Sequence, residues 1–286
     1  MQQYFFVSDL HGNVSKYEKL LLQIRKDKPR AVFFGGDLLP AGLTYRANSN
    51  SIPVNFIDGF LAPEFRSLKR ELEEKYPAVF VIMGNDDPRK EEERFLHHEK
   101  EGLWHYMHMK KVPLDDHIVY GYGMVPPTPF LLKDWERYDV SRYVDPGCVH
   151  PMGGFRTVDP DGDVEFSTIK ADLEALTGND DLSKAIFLFH TPPYKTMLDR
   201  AGLDGVTVDH VPVDVHVGSI AVKGLIEEKK PMLTLHGHIH ESSKITGEWK
   251  QKINRTIAYS AAYEGVGLAL VRFSGNCLMS AERLIL

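Results

Sequence analysis

An α/β fold, with two packed mixed β-sheets flanked by helices, follows from three features of this 286-residue sequence. Five short runs are apolar at successive positions, helical stretches lie between them, and the last third breaks into Gly-punctuated strand-like segments. Short runs rich in Val, Ile and Phe that do not alternate with polar residues mark strands covered on both faces. The first is "YFFVS" (4–8). "VSKYEKLLLQIRKDK" (14–28) then sets Val14, Tyr17, Leu20, Leu21 and Ile24 at helical spacing, with Pro29 closing it. "AVFFGG" (31–36) is the second strand, and "APEFRSLKRELEEKY" (62–76) the second helix, with Pro63 in its first turn and Leu68 and Leu72 four apart. "AVFVIMG" (78–84) and "AIFLF" (185–189) are the third and fourth strands. "GSIAVKGLIEEKK" (218–230) reads as a helix capped by Ser219 and leads into the fifth strand, "PMLTLHG" (231–237). Alternation of this kind argues right-handed crossovers. "TIAYSAA", "GVGLALVRFSG" and "CLMSAERLIL" read as an antiparallel set. The chain is read as one domain, residues 1–286, with long Pro/Gly-rich insertions at about 40–59 and 123–162.

Composition narrows the partners. With 43% hydrophobic and 26% charged residues, the chain has the make-up of a globular protein. A formal charge of −6 argues against a long nucleic acid as partner. Two cysteines without a CxxC pair give neither a disulfide framework nor a thiolate zinc site. The start, "QQYFFVSD", shows no basic segment or cleavage site, and no run is long and apolar enough to span a membrane, so a cytoplasmic location is expected.

Each of the five strands ends in residues able to bind a metal. They are Asp9 and His11 in "SDLH", Asp37 in "GGD", Asn85 in "GND", His190 in "FLFH", and His238 and His240 in "HGHIH". Taken singly, each has an ordinary explanation as a cap, a turn former or a core histidine. Carboxyl ends of neighbouring strands share one edge of an α/β sheet, which is where ligands bind, so all seven are expected to converge there. His236 is expected only to line its strand. Oxygen and imidazole donors without thiolate favour Mn, Fe or Zn over Ca or Mg. Seven ligands suit two ions rather than one, and a carboxylate can bridge them.

In this order the blocks Asp9-x-His11, Gly36-Asp37, Gly84-Asn85, His190 and Gly237-His238-x-His240 resemble the calcineurin-like metallophosphoesterases. The resemblance implies a four-layer αββα sandwich. It implies that Asp9, His11 and His240 hold one divalent ion, that Asn85, His190 and His238 hold the other, and that Asp37 bridges the two. The activity implied is hydrolysis of a small phosphomonoester or phosphodiester by metal-activated water, with no covalent intermediate. The alternative is a catalytically weak metal-binding scaffold on the same fold that binds protein partners.

Most relatives carry Gly-Asn-His, followed by an acid, where this chain reads "GNDD". Asp86 thus stands in place of the usual proton-donating or phosphate-contacting histidine. Beside two cations its carboxyl group is expected to be ionised and to donate poorly. The block "GGDLLPAG" lacks the Asp and Arg of the family's protein phosphatases, which argues against that specificity. Candidate catalytic residues are therefore Asp37, Asn85 and Asp86. Candidate substrate contacts are Asp86, His150 (an alternative proton donor), Arg142 and Tyr194. The aromatic and Arg-rich stretch 123–162 reads equally as a wall of the site or as a surface excursion packed on a sheet edge. His210 and His216 are read as structural or rim residues, and the His-rich stretch 97–111 as an exposed loop and strand.

Overall fold

The computed structural model describes residues 2–40, 55–160, 162–274 and 277–286, the side chains of 277–279 apart. Two six-stranded mixed sheets pack face to face. In the first, β1 (Gln3–Val7), β2 (Ala31–Gly35), β3 (Ala78–Ile82) and the two-residue β4 (His105–Tyr106) run parallel. On the other side of β1 this sheet is completed by β13 (Ala269–Ser274) and β14 (Cys277–Ile285), both antiparallel to their neighbours. The second sheet has a parallel centre of β6 (His117–Tyr122), β7 (Ala185–Phe189), β10 (Leu233–His236) and β12 (Thr256–Ser260). Its edges are β5 (Lys110–Leu114) and β11 (Lys250–Ile253), both antiparallel. A short ribbon, β8 (Thr207–Val208) with β9 (Val211–Pro212), stands apart from both.

The period-two geometry of a strand explains the continuous apolar runs. Along β1, Tyr4 and Phe6 point between the sheets, where they meet Phe33, Phe80, Ile186, Leu188, Leu235 and Phe273. Phe5 and Val7 point outward, beneath Tyr17, Leu20, Leu21 and Ile24. Those four residues belong to α1 (Val14–Asp27). A strand covered on both faces has no polar position to show, and each buried Phe contributes about 1.5–3 kcal/mol.

The helix ends differ slightly from the sequence expectation. α1 stops at Asp27, where Lys28 turns left-handed and donates its N–H to the Ile24 carbonyl, so the turn precedes Pro29. α2 (Ala62–Leu72) is entered through a π-helical turn, Ile57–Leu61, and is followed by a 3₁₀ turn, Glu73–Lys75. The end of the expected 40–59 insertion is thus helical, and its residues 41–54 lie outside the described ones. α3 (Glu92–Lys100), α4 (Ile169–Thr177), α5 (Ile220–Lys229) and α6 (Ser242–Thr246) follow. Ser219 caps α5 as expected, its Oγ accepting from Val222 N. Among the described residues no helix is long and apolar enough to cross a membrane.

Two expectations are corrected. The last third is not one antiparallel set: β12 joins the second sheet parallel to β10, while β13 and β14 complete the first. Strand propensity alone does not say which sheet a strand joins. The histidines at 97 and 98 lie on α3 rather than on an exposed loop, and His98 is buried against Asp58 and Glu101. The stretch 123–162, which the sequence reads equally as a wall of the site or a packed excursion, contributes Trp135 to the main core. Trp135 and Tyr138 are buried, and a wholly buried Lys133–Glu136 ion pair is completed by Thr128, which donates to Glu136. Phe130, Tyr143 and Phe155 stay exposed.

His236 lies wholly inside the second sheet, its ring stacked on Phe189. Nδ1 donates to the Thr191 carbonyl at 2.9 Å, and Nε2 accepts from the Thr234 hydroxyl at 2.8 Å, so the neutral ring is fully satisfied. Burial lowers its pKa from 6.5 to about 4. The unfolded chain binds this proton below about 6.5 and the native state only below about 4, so acid favours unfolding. Stability should fall by about 1.4 kcal/mol per pH unit from this residue alone as pH drops through that window. Urea melts at pH 7, 5.5 and 4.5 should show a shallower decline for His236→Gln, and an unchanged decline contradicts the assignment.

Candidate metal centre

The seven metal-type side chains follow five strand ends drawn from both sheets, with β1, β2 and β3 in one and β7 and β10 in the other. The edge on which they meet is therefore a seam between layers, whereas the sequence suggests the edge of one sheet. Backbone hydrogen bonds draw the loops together. Asp9 N donates to the Gly36 carbonyl at 3.0 Å, His11 N to Asp37 O at 2.8 Å and, within the second sheet, Gly237 N to His190 O at 2.8 Å. His238 N donates to Asp9 Oδ1 at 3.1 Å.

Ligand-capable atoms of Asp9, His11 and His240 lie within 4.8 Å of one another, as do those of Asp37, His190 and His238. Within the first group, His240 Nε2 is 3.2 Å from Asp9 Oδ1 and 3.3 Å from His11 Nε2. Within the second, His190 Nε2 is 3.2 Å from Asp37 Oδ2 and 3.1 Å from Asn85 Oδ1. A third group, His11, Asp37 and Asp86, links the two, and Asp37 belongs to both sides. The structure brings together all seven sequence-predicted ligands, with Asp86 beside them.

This donor set fits a pair of divalent cations. Nδ1 of the wholly buried His190 donates to the Gly35 carbonyl at 2.7 Å, which orients the ring and leaves Nε2 facing Asp37 and Asn85. Orientation of a ligating ring through its other nitrogen is the usual device in metal sites. Asp9, His11, Asp37 and His238 all have positive φ, at 59°, 46°, 52° and 75°. Side chains seldom adopt this backbone region, and it persists where the surroundings over-determine it, as at functional sites. Gly36, at φ 91°, lies so close to His190 that a Cβ there would be 2.6 Å from Nδ1.

The electrostatics are those of an anionic cradle. Despite burial, the imidazoles of His240, His190 and His11 hold Asp9 below the usual carboxylate range. Burial opposes the protonation of His190 and His240, yet the adjacent Asp37 and Asp9 raise them to about 10 and about 9.

Asp86 behaves differently. Its N–H donates to Asp37 Oδ1 at 2.8 Å, its Oδ1 accepts from Asn85 Nδ2 at 3.1 Å, and its Oδ2 is 3.7 Å from His11 Nδ1. Burial and the neighbouring Asp37 raise its pKa to about 6. With that value Asp86 is mainly ionised at pH 7 even without cations. The next residue, Asp87, was not singled out by the sequence. It is wholly buried and accepts the N–H groups of Leu38, Leu39 and Gly84 at 2.7–2.9 Å, tying the second strand's loop to the third's. The signal available was its place just before Pro88, in the family's acidic position.

The substrate contacts expected from the sequence are more scattered. His150 is exposed and 3.4 Å from Tyr138 Oη. Arg142 pairs with Glu165 at 2.8 Å and lies over the Phe166 ring. The structure does not bring either residue to the cluster. Tyr194 hydrogen-bonds Asp214 and lines a cavity on the segment that leaves His190. His97, His98 and Glu101 also come within metal-binding distance of one another, but the Arg66 guanidinium already sits 3.1 Å from His98 Nδ1.

A comparison with curated proteins returns no match. One solved structure aligns with 16% identity and a TM-score of 0.60 over 99% of this chain and 98% of its own. The crystal structure of a Thermus thermophilus protein gives 16%, 0.56, 99% and 98% respectively. That of a Danio rerio protein titled a dimetal phosphatase gives 11%, 0.53, 94% and 92%. These likenesses show the shared sandwich fold. The model of the calcineurin-like phosphoesterase family matches residues 3–242. With five sequence blocks, the layered fold and this match in agreement, the chain belongs to the calcineurin-like phosphoesterases.

Proposed function

We propose that the protein is a dinuclear metal-dependent phosphoesterase that hydrolyses small phosphomonoesters or phosphodiesters. The observation that carries this reading is the convergence of oxygen and imidazole donors from five strand ends on one cluster centred on Asp37. A donor set without thiolate suits Mn, Fe or Zn. Bound there, two divalent ions would supply an activated water and charge neutralisation for the phosphoryl oxygens. Asp9, His11 and His240 would hold one ion, Asn85, His190 and His238 the other, and Asp37 both.

The chain's own part is preorganisation. The Gly35 carbonyl fixes the His190 ring, the His238 N–H orients Asp9, and Asp87 locks the loops that carry Asp37 and Asn85. Little of this has to move when substrate arrives, which is how a polar site stabilises developing charge. A metal assay followed by turnover with added Mn²⁺ tests the reading. The panel would include mononucleotides, cyclic nucleotides, dinucleotides, sugar phosphates and phospholipid head groups. Tight metal binding with no turnover of any ester would sink it.

With Asp86 in place of an imidazole, the leaving oxygen receives little help from a proton donor at this position. Wild type should therefore prefer aryl esters and phosphoanhydrides to alkyl esters. General acids typically contribute about 10²–10⁴-fold, so Asp86→His should raise alkyl turnover relative to aryl by at least about tenfold. Equal alkyl rates in the two proteins would contradict this role for Asp86.

A further inference from the structure

The segment that leaves β7 at His190 lines a cavity of about 600 Å³, within the usual range for small-molecule sites. Val140 and Tyr143 come from the 123–162 excursion, Val208 and Val211 from the β8–β9 ribbon, and Tyr194 and His216 complete the lining. Tyr143 is 69% exposed and Val211 50%, so apolar surface faces open space on two opposed elements.

The loop that forms one wall of the cavity is tied to the segments that follow two of the candidate ligands, His190 and His240. A short ladder pairs Arg200 with His216, through Ala201 N to Val215 O at 2.8 Å and Val217 N to Asp199 O at 3.1 Å. On one side, Pro193 bridges to Ser219, three residues after His190. On the other, Arg200 N donates to the hydroxyl of Ser242, two residues after His240. His216 is held as firmly. Its Nδ1 donates to Oδ1 of the wholly buried Asp199 at 2.8 Å, and Asp199 also accepts the N–H groups of Lys195, Thr196 and Gly218. The ring lines the cavity, and its Nε2 has no hydrogen-bond partner among the described residues. Among the described lining residues are Asp139, Asp145 and Asp214 but no Lys or Arg, so the cavity suits an uncharged occupant and repels a phosphate.

We propose that this cavity receives the organic group of the phosphoester substrate, an uncharged ring-bearing alcohol portion, with His216 as its hydrogen-bonding contact. The inference rests on the phosphoesterase reading, since the phosphoryl group would lie on the neighbouring metal centre. It is tested by calorimetric binding of phenylphosphonate and methylphosphonate to the Mn²⁺-loaded full chain, which needs no turnover. Wild type should bind phenylphosphonate at least about tenfold more tightly, and Val206→Trp, which fills the cavity from its exposed rim, should bring the ratio near one. Val211→Trp on the ribbon provides a second filled variant if the first melts early. His216→Ala should weaken 4-hydroxyphenylphosphonate more than phenylphosphonate, whose ring has no hydrogen-bonding atom, with partial recovery in His216→Asn. Equal binding of the two phosphonates by wild type, or a ratio unmoved by both filled variants, overturns the subsite. Ester turnover by the same wild-type preparation would then leave the phosphoesterase reading standing, and its absence on every ester would remove that reading separately.

Discussion

Asp37→Asn is expected to abolish paired metal binding and to lower phosphoester turnover by at least about a hundredfold, while leaving the ion-free protein folded and only modestly less stable. The catalytic part follows from charge. An amide cannot bridge two cations as a carboxylate does, and removing a single charge-stabilising group from a preorganised site typically costs about 10²–10³ in rate. The stability part follows from geometry. Asn tolerates the left-handed backbone that Asp37 adopts, and its Oδ1 can still accept the Asp86 N–H. Without ions, the Asp37 carboxylate raises the pKa values of both Asp86 and Asp87, to about 6 and about 7, in addition to the effect of burial. Neutralising it relieves that repulsion but also removes the pairing with His190 and His11 that, despite burial, holds the Asp37 carboxyl below its usual range, so the net change is a modest loss. The distinguishing measurement is a pair of thermal melts, with and without Mn²⁺. Wild type should gain stability from the ion by mass action, and the variant should start slightly lower and gain little. A variant that melts much earlier without ions would make Asp37 a structural residue instead.

The same conflict explains why the centre was legible in the sequence. Charged and imidazole side chains directly after apolar runs have no structural reason to occur at five strand ends together, so function is the economical cause. The strands were legible because burial on both faces removes polar positions from Phe5–Val7 and Val32–Phe34. What the sequence does not carry is pairing. Nothing in "TIAYS" says that it lies parallel to "LTLH" and not against "ALVRFS", because register depends on distant partners. Nor could composition place Asp199 against His216, or Asp87 beneath two loops. In both cases the carboxylate acts on backbone N–H groups that become neighbours only in the fold. The excursion at 123–162 was ambiguous for a related reason: its buried Lys133–Glu136 pair looks in sequence like two surface charges.

Gly84→Ala should be nearly as damaging to turnover as loss of a ligand, although it removes no donor. An added Cβ would lie 2.3 Å from Asp37 Oδ1, 2.6 Å from Asp37 N and 2.6 Å from His190 Nε2. Two of those atoms are the ligand-capable atoms of their side chains, and the third is backbone, so no flexible side-chain end is there to give way. Overpacking of this kind costs about 1–3 kcal/mol. Relief by turning Asp37 and His190 apart would break the 3.2 Å approach on which the second group depends. The expected result is weakened metal binding and a fall in turnover of about a hundredfold or more, with only a modest loss of stability. Gly224→Ala is the matched control. Gly224 lies inside α5 with no heavy atom within 4 Å of an added Cβ, so there the methyl should stabilise by about 0.5–1 kcal/mol and leave turnover unaltered. If both alanines behaved alike, the tight apposition of the third strand's loop to Asp37 and His190 would be irrelevant to metal binding, and the case for a preformed two-ion centre would lose its geometric basis.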